Sequence, residues 1–200
     1  MAIKFQYNKT SLNDMEKQRK VRTRALPTIK SKESALRLEV KKAKDEQERY
    51  IVRMEELRSQ YDYMVALWGE FDSELLSVED IELGHSKIAG VMLPIIKEIK
   101  FKQKEYNLFS SPIWISDGVK MLKEFAEIGL RSELGSYRVS ILDVARKKTT
   151  QKVNLYEKVQ IPGYTEAIRK IKRYMEDEDN LSKASQKIVK SRQQKEEDAV

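Results

Sequence analysis

Side chains able to perform catalysis or to bind metal are few in this 200-residue sequence, which has no cysteine and a single histidine, His85. Any nucleophile–histidine arrangement would have to be built on His85, and thiol chemistry and cysteine-based zinc sites are excluded. The phosphate-binding pattern G-x-x-x-x-G-K-[ST] does not occur. His85 stands beside Gly84 in a turn-like setting, so we interpret it as a surface residue. Most catalytic groups are thus absent, and we expect no catalytic, cofactor-binding or metal-binding residue.

Charge is the more informative chemical feature, because it is distributed unevenly along a chain with a formal net charge of +7. Residues 1–30 carry eight basic and two acidic side chains, residues 31–83 carry eight and 14, and residues 146–173 carry nine and two. If two arms of equal length fold back on each other, the numbers of facing residues add up to about 200. The acidic block 31–83 then lies beside the basic block 146–173, and charge complementarity sets the register.

Long helices must position these charges, since 36% of the residues are charged and only 7 are Gly and 4 are Pro. Between residues 28 and 68 there is no Gly or Pro, and core positions recur in alternating steps of four and three. A repeat of 3.5 residues predicts a coiled-coil seam against one neighbouring helix. We expect Gln47, the one polar residue without an apolar ring or chain in this seam, to help fix the register of the two helices. The seam comprises Leu36, Val40, Ala43, Gln47, Tyr50, Met54, Leu57, Tyr61, Met64 and Trp68.

The predicted fold is dominated by α-helix: a long antiparallel two-helix coiled coil with a small middle insertion that contains a β-hairpin. Residues 1–71 form the N-terminal arm, with a kink near Pro27 and a frayed basic tail over residues 1–10. Residues 72–116 form the insertion, in which alternation of apolar and charged residues predicts two strands joined near Pro94. Residues 117–200 form the C-terminal arm.

The C-terminal arm carries three signals that bear on its continuity. Gly129 and Gly135 weaken a helix, which we nevertheless expect to continue through them. The seam residues Val153 and Tyr164 are eleven apart, so the heptad slips by one residue around Pro162, where we expect a kink or an unwound section. Beyond Leu181 the sequence is polar and is predicted to fray.

A specific resemblance lies in the stretch QKVNLYEKVQIP at residues 151–162 and in the two isoleucines that follow. It is similar to the pattern V-N-x-x-E-x-x-x-I-P-x-x-x-x-x-I-x-x-I of the D subunit of the V-type and A-type ATP synthases. Residues 29–33 (IKSKE) similarly resemble an L-K-x-K stretch of that family. Pro27 and Gly163-Tyr164 depart from the family pattern. The matching motif positions are Val153, Asn154, Glu157, Ile161, Pro162, Ile168 and Ile171.

The resemblance implies a rotor shaft in the central stalk, which transmits torque and couples ATP synthesis or hydrolysis to ion transport. The implied partners are the hexamer of catalytic A and noncatalytic B subunits, the F subunit of the central stalk and a connector on the membrane ring. Arms of 40 to 60 residues would be about 60 to 90 Å long. The longest uncharged apolar stretch, residues 91–96, is far below the roughly 18 residues that span a bilayer, which predicts a soluble cytoplasmic protein. The resemblance implies that the chain has no active site of its own and is peripheral to the membrane as part of a membrane-bound complex.

On this interpretation a cationic surface at the free tip of the shaft, where residues 1–30 lie beside residues 174–200, faces carboxylates on the inner wall of the hexamer. Two alternatives remain. One is a basic nucleic-acid-binding coiled coil, which the sequence pI near 9.3 favours. Against it, aromatic residues that could stack on bases are not interleaved with the basic residues. The other is a general coiled-coil scaffold formed by two chains. The residues of the predicted hexamer contact are Lys17, Arg19, Lys20, Arg22, Arg24, Lys183, Lys187 and Lys190.

Overall fold

The computed structural model describes residues 3–106 and 112–197. Of these described residues, 78% are helical, and the predicted fold class, with a long helix at each end and an antiparallel two-stranded hairpin in the middle, is confirmed. The elements in chain order are helix α1 (Lys9–Gln60), two 3₁₀ helices (Asp62–Glu70 and Ser73–Leu75), strands β1 (Leu76–Ile88) and β2 (Val91–Gln103), helix α2 (Trp114–Asn154), a π-helical segment (Leu155–Gln160) and helix α3 (Ile161–Glu197).

By its contacts the chain forms two compact units. The terminal unit combines Met1–Ser31 with Thr149–Val200, and the central unit is Lys32–Lys148. The division predicted from the sequence, at residues 71 and 116, stays a prediction. In the described part of the chain, no helix combines the length and the apolar character needed to cross a membrane.

The core of the central unit lies where α1 and α2 meet the tip of the hairpin. Leu36, Leu93 and Leu142 are at most 1% exposed, and Val40 and Ala43 complete the buried cluster. The two helices run antiparallel, because Gln47 of α1 contacts Ser136 of α2 while Arg53, further along α1, contacts Glu124, further back along α2. Helix α2 continues through Gly129 and Gly135, as expected from the sequence.

The hairpin turn lies at Ala89 and Gly90, both of which have positive φ angles, 48° and 79°. Positive φ at both central residues is the geometry of the tight hairpin turns that match the twist of antiparallel strands. The prediction of a turn near Pro94 was therefore wrong, since Pro94 lies inside β2 opposite His85. A two-stranded sheet leaves one edge of each strand free, and a proline at a free edge removes no ladder hydrogen bond.

The α-helical part of the first arm ends at Gln60, earlier than the predicted seam. Tyr61 precedes a 3₁₀ helix that contains Met64, which is buried, and Trp68, whose ring meets that of Trp114 edge to face at 5.9 Å. Leu75, Ile115 and Val119 form a second buried cluster beside these rings.

The terminal unit has its own core of Met15, Ala167, Ile168 and Ile171. Ile3 and Phe5 pack against this core, so the prediction that residues 1–10 form a frayed tail was wrong from residue 3 onward. Residues 1 and 2 lie outside the described residues. Helix α3 continues to Glu197, whereas the sequence had predicted fraying beyond Leu181.

The two prolines within the arms have different local structures. Helix α1 passes through Pro27 without a break, and the Ser31 hydroxyl donates to the Pro27 carbonyl at 3.0 Å. Ahead of Pro162, the chain forms the π-helical segment, in which the Ile161 N–H donates to the carbonyl of Tyr156, five residues back. A π turn holds more residues than an α turn, so it takes up the one-residue slip that the eleven-residue spacing of Val153 and Tyr164 indicates.

Candidate functional site

The register of the helices places the predicted basic residues differently from the expectation of equal arms. The numbers of cross-helix partners add up to between 177 and 188, as in Arg53 with Glu124 and Glu16 with Lys172. The physical reason is that α1 ends at Gln60 and α2 begins at Trp114, so the numbers of the residues that face each other at this end add up to less than 200. The prediction that the acidic block 31–83 faces the basic block 146–173 was therefore wrong for most of that block.

The terminal unit consequently collects positive charge. Its residues 3–31 and 149–175 contain fourteen basic and four acidic side chains, a net charge of +10. Only two ion pairs join the helices across this unit within the described residues, Lys30–Glu157 at 2.7 Å and Lys172–Glu16 at 2.9 Å. Most of its cations are thus available to an external acidic group.

The residues of the predicted hexamer contact fall into four groups, one of which is Arg22 alone. Lys17, Lys20 and Arg24 are exposed on α1, and they make no ion pair within the described residues. Arg19 is half-buried at the edge of the same face. The third group, Lys183, Lys187 and Lys190, is exposed on α3, but the structure does not bring it beside the α1 group. The α1 group lies instead near residues 161–172 of α3, since Lys172 pairs with Glu16 and Ile161 and Thr165 line a groove with Arg19, Lys20 and Arg24.

Arg22 is not part of the free cationic surface. Its Nε donates to Oε1 of Gln160, and its Nη1 donates to the carbonyl of Gln18 at 3.1 Å. The guanidinium also lies over the ring of Tyr164, 4.8 Å from the centroid, and 5.9 Å from that of Tyr156. Arg22 therefore joins α1 to the π-helical segment and the start of α3, a role that the charge pattern alone did not reveal.

A groove between α1 and α3 displays the free cations. It is lined by Glu16, Arg19, Lys20, Thr23, Arg24, Ile161 and Thr165. Glu16 is already engaged, because its hydrogen bond with Lys172 and the charge of that lysine lower the pKa of the Glu16 carboxyl. Three cations and two threonines line this groove, although the Thr165 hydroxyl already donates to the Ile161 carbonyl at 2.9 Å. The three cations suit carboxylates of a protein surface.

The motif residues divide between packing and pairing. Ile168 and Ile171 are buried in the core of the terminal unit, and Val153 and Ile161 are half-buried. Glu157 is exposed and bonds to Lys30 of α1. Asn154 and Pro162 are exposed beside the two ends of the π-helical segment. The motif therefore encloses the irregular turn of the C-terminal arm.

The seam residues of the first arm are all buried or half-buried. Leu36, Val40, Ala43, Leu57 and Met64 are buried, whereas Gln47, Tyr50, Met54, Tyr61 and Trp68 are half-buried. Gln47 donates from Nε2 to the Ser136 hydroxyl at 2.7 Å. In the central unit, an apolar groove beside the hairpin is lined mainly by Ile81, Leu83, Ile96, Leu130, Leu134 and Tyr137.

Sequence reasoning missed the contribution of residues 3–8. Ile3 and Phe5 are half-buried, Lys4 and Gln6 are exposed, and the ring of Tyr7 lies 4.8 Å from that of Tyr174. The alternation of Ile3, Phe5 and Tyr7 with polar residues was the available signal, because it is typical of an extended segment with one apolar face.

Comparison with known proteins gives a consistent result. The family model for the D subunit of ATP synthase matches residues 11–191. The V-type ATP synthase D subunit of Borreliella burgdorferi is 29% identical over 189 residues, covering 92% of this chain and 93% of that protein. The D subunit of Chlamydia felis is 31% identical over 179 residues, 86% of each chain, and that of Chlamydia pneumoniae is 27% identical over 198 residues, 96% and 94%. The resemblance inferred from the V-N to I-P motif is thereby confirmed, and the chain belongs to the family of ATP synthase D subunits.

Proposed function

We propose that this protein is the central-stalk rotor shaft of a V-type or A-type ATP synthase or ATPase. It transmits torque between the catalytic A/B hexamer and the membrane ring, and so couples ATP synthesis or hydrolysis to ion transport. The match of residues 11–191 to the family of D subunits carries this proposal. The chain itself is noncatalytic, and it acts on the cytoplasmic side as a peripheral part of the membrane-bound complex.

Paired helices support a mechanical role. A shaft must resist twisting, and two helices that share a packed seam resist it better than one, because twisting either helix must disrupt contacts with the other. Each unit contains such a pair with its own buried core. The Lys30–Glu157 and Lys172–Glu16 pairs add polar links between the helices of the terminal unit.

The two units offer surfaces of different chemistry to the proposed partners. The terminal unit, with its net charge of +10 over residues 3–31 and 149–175, contacts the inner wall of the catalytic hexamer through carboxylates on that wall. The central unit contacts the F subunit and the connector. Exposed apolar side chains such as Leu83 and Tyr137 in the groove beside the hairpin support a protein contact there.

The direct test is isolation of the chain from its source cell with an affinity tag, followed by identification of the stoichiometric partners. The catalytic A and B subunits should co-purify, and a bead attached to the tagged chain should rotate when ATP is added to the immobilised hexamer. Recovery of nucleic acid in place of these subunits, with retention on DNA that falls steeply with salt, would favour the nucleic-acid-binding alternative.

The electrostatic part of the proposal has its own test. Lys17, Lys20 and Arg24 are changed together to Glu, and the matched control changes three exposed basic residues of the central unit, Lys41, Lys44 and Arg49, to Glu. Each exposed contact contributes only about 0.2 to 1 kcal/mol, so single changes should be nearly silent. The first triple variant should assemble more weakly onto the hexamer, with unchanged helical content and a smaller dependence on salt than wild type. If both triple variants assemble like wild type at low salt, the terminal unit is a passive bearing.

A further inference from the structure

The C-terminal arm has an intrinsically weak place at the π-helical segment and Pro162. Proline supplies no backbone N–H, and its ring crowds the carbonyl four residues back, that of Lys158. The hydrogen bond from Ile161 to Tyr156 replaces the regular pattern here. Helices bend where their i→i−4 ladder is interrupted, so additional contacts are needed to hold this section in one conformation.

One such contact is made by the N-terminal segment at Gly163. A Cβ atom built on Gly163 would lie 2.9 Å from Cδ1 of Ile3 and 3.5 Å from its Cγ1. The side chain of Ile3 thus occupies the space that any other residue at position 163 would fill. Glycine is a poor residue for a helix interior, and its presence at this position gives Ile3 a notch to enter.

The course of residues 3–8 follows α3 closely. Ile3 lies at Gly163 and Tyr7 lies at Tyr174, so four steps of chain span eleven residues of helix. Eleven helical residues rise about 16 Å, and four residues of extended chain reach about 13 Å, which is compatible once the long aromatic side chains are included. Between them, Phe5 packs on the core of the terminal unit and meets the Tyr7 ring edge to face at 5.4 Å.

The segment is also anchored where it joins α1. The Ser11 N–H donates to Oδ1 of Asn8 at 2.7 Å, and the Gln6 N–H donates to the Ser11 hydroxyl at 3.2 Å. Asn8 additionally donates from Nδ2 to Oε1 of Gln6 at 3.1 Å. These bonds cap the helix and fix the reversal of direction, which presents Ile3 and Phe5 to α3.

We propose that residues 3–8 form a strap whose insertion of Ile3 into the Gly163 notch holds the π-helical segment and the Pro162 turn in place. Arg22 contacts Gln160 and Tyr164 from α1, so the irregular turn is held by the strap and by α1 together. When the strap leaves the notch, the section from Leu155 to Tyr164 opens more often, and the rest of the terminal core keeps its helix pairing. This property belongs to the fold and does not depend on which partners the chain has.

Amide hydrogen exchange in the full chain tests the strap, under conditions in which exchange reports local opening. Ile3→Ala should accelerate exchange of the amides of residues 155–161, 163 and 164 by roughly five- to tenfold, because a half-buried aliphatic side chain is lost. The adjacent Lys4→Ala is the matched control, since Lys4 is exposed on the same segment. Lys4→Ala should leave the exchange rates of these amides unchanged.

The glycine itself provides a second, independent comparison. A Cβ at Gly129, inside α2, would have no neighbour within 4 Å, so Gly129→Ala should slow exchange of nearby amides about fivefold through helix propensity alone. Gly163→Ala should not slow amide exchange in the wild-type chain, because the added Cβ displaces Ile3. In the Ile3→Ala background, the same substitution should slow exchange as Gly129→Ala does. The proposal is wrong if Gly163→Ala slows exchange in the wild-type chain as much as Gly129→Ala does, or if Ile3→Ala behaves like Lys4→Ala.

Discussion

Nζ of Lys172 lies 2.9 Å from Oε1 of Glu16 and links the two helices of the terminal unit. The hydrogen bond and the positive charge of Lys172, with a smaller effect from Arg19, lower the pKa of the Glu16 carboxyl from its ordinary value of 4.5. The pair also marks the register, because it places α3 beside α1 with an offset that equal arms would not produce.

This pair gives the terminal unit a pH dependence. A carboxyl with a lowered pKa in the folded state contributes stability above the unfolded pKa of 4.5, and that contribution is lost as pH falls through the lower folded value. In a carboxyl-detected NMR titration, Lys172→Met should raise the pKa of Glu16 towards 4.5. Glu16→Gln should remove this part of the acid-induced loss of stability, whereas Asp143→Asn should leave the Glu16 titration unchanged. A Glu16 pKa insensitive to Lys172→Met would contradict the pairing.

Arg22 should behave as a structural residue despite its place in a basic run. Arg22→Ala removes the bond to Gln160 and the stacking on Tyr164, which together should lower the free energy of unfolding by about 1 to 3 kcal/mol. Arg22→Lys should recover only part of this loss, because an ammonium lacks the planar fork. Lys20→Ala, exposed two residues away, should have little effect in the same urea titration. Equal stability of the Arg22→Ala and Lys20→Ala variants would show that the guanidinium contacts contribute nothing.

Gln47 should show the cost of a polar residue in a helix seam. Gln47→Leu removes the hydrogen bond to the Ser136 hydroxyl and adds apolar contact with α2. The hydroxyl is exposed, so a water molecule can replace the lost amide as its partner. We expect the variant to melt about 2 to 4 °C higher, corresponding to about 1 kcal/mol. Gln186→Leu, on an exposed part of α3, should not raise the melting temperature. A lower melting temperature for Gln47→Leu would argue against a seam position.

Leu93 should anchor the hairpin to the helices. Its side chain is fully buried among Leu36, Val40 and Leu142, so Leu93→Ala should cost about 2 to 5 kcal/mol and accelerate amide exchange in β1 and β2. Met92 is the neighbouring residue but is 56% exposed, and Met92→Ala should cost far less. Similar costs for the two substitutions would mean that the hairpin is held elsewhere.

The sequence predicted those parts of the fold that repeat along the chain. Leu36, Val40 and Ala43 are spaced for one helix face, and a seam of this kind leaves a period that can be counted without knowing the partner helix. The hairpin followed from alternation in the same way. The position of its turn could not be predicted in the same way. Pro94 is a strong turn signal, but a free strand edge tolerates proline. The turn residue Ala89 has a positive φ, which is unusual for a residue with a Cβ.

Residues that depend on one particular contact were not predictable in this way. The strap is only a few residues long, too short for a period to stand out, and its partner Gly163 lies 160 positions away from Ile3. Arg22 has the same charge as Lys20 and Arg24 of the same basic run, and only its contacts with Gln160 and Tyr164 distinguish it from them. The candidate cationic site was thus predictable as a group of charges but not residue by residue.

The π turn has a further consequence for how the C-terminal arm tolerates changes in length. Each residue of an α-helix turns the chain by about 100°, so deleting one residue from within α3 would rotate the part of the helix that follows by that angle about its axis. Deleting one residue from Leu155–Gln160 would instead let the wider π turn become a regular α turn, and Ile168 and Ile171 would keep their interface with α1. The π-helical segment should therefore tolerate a one-residue deletion better than the regular helix on either side of it.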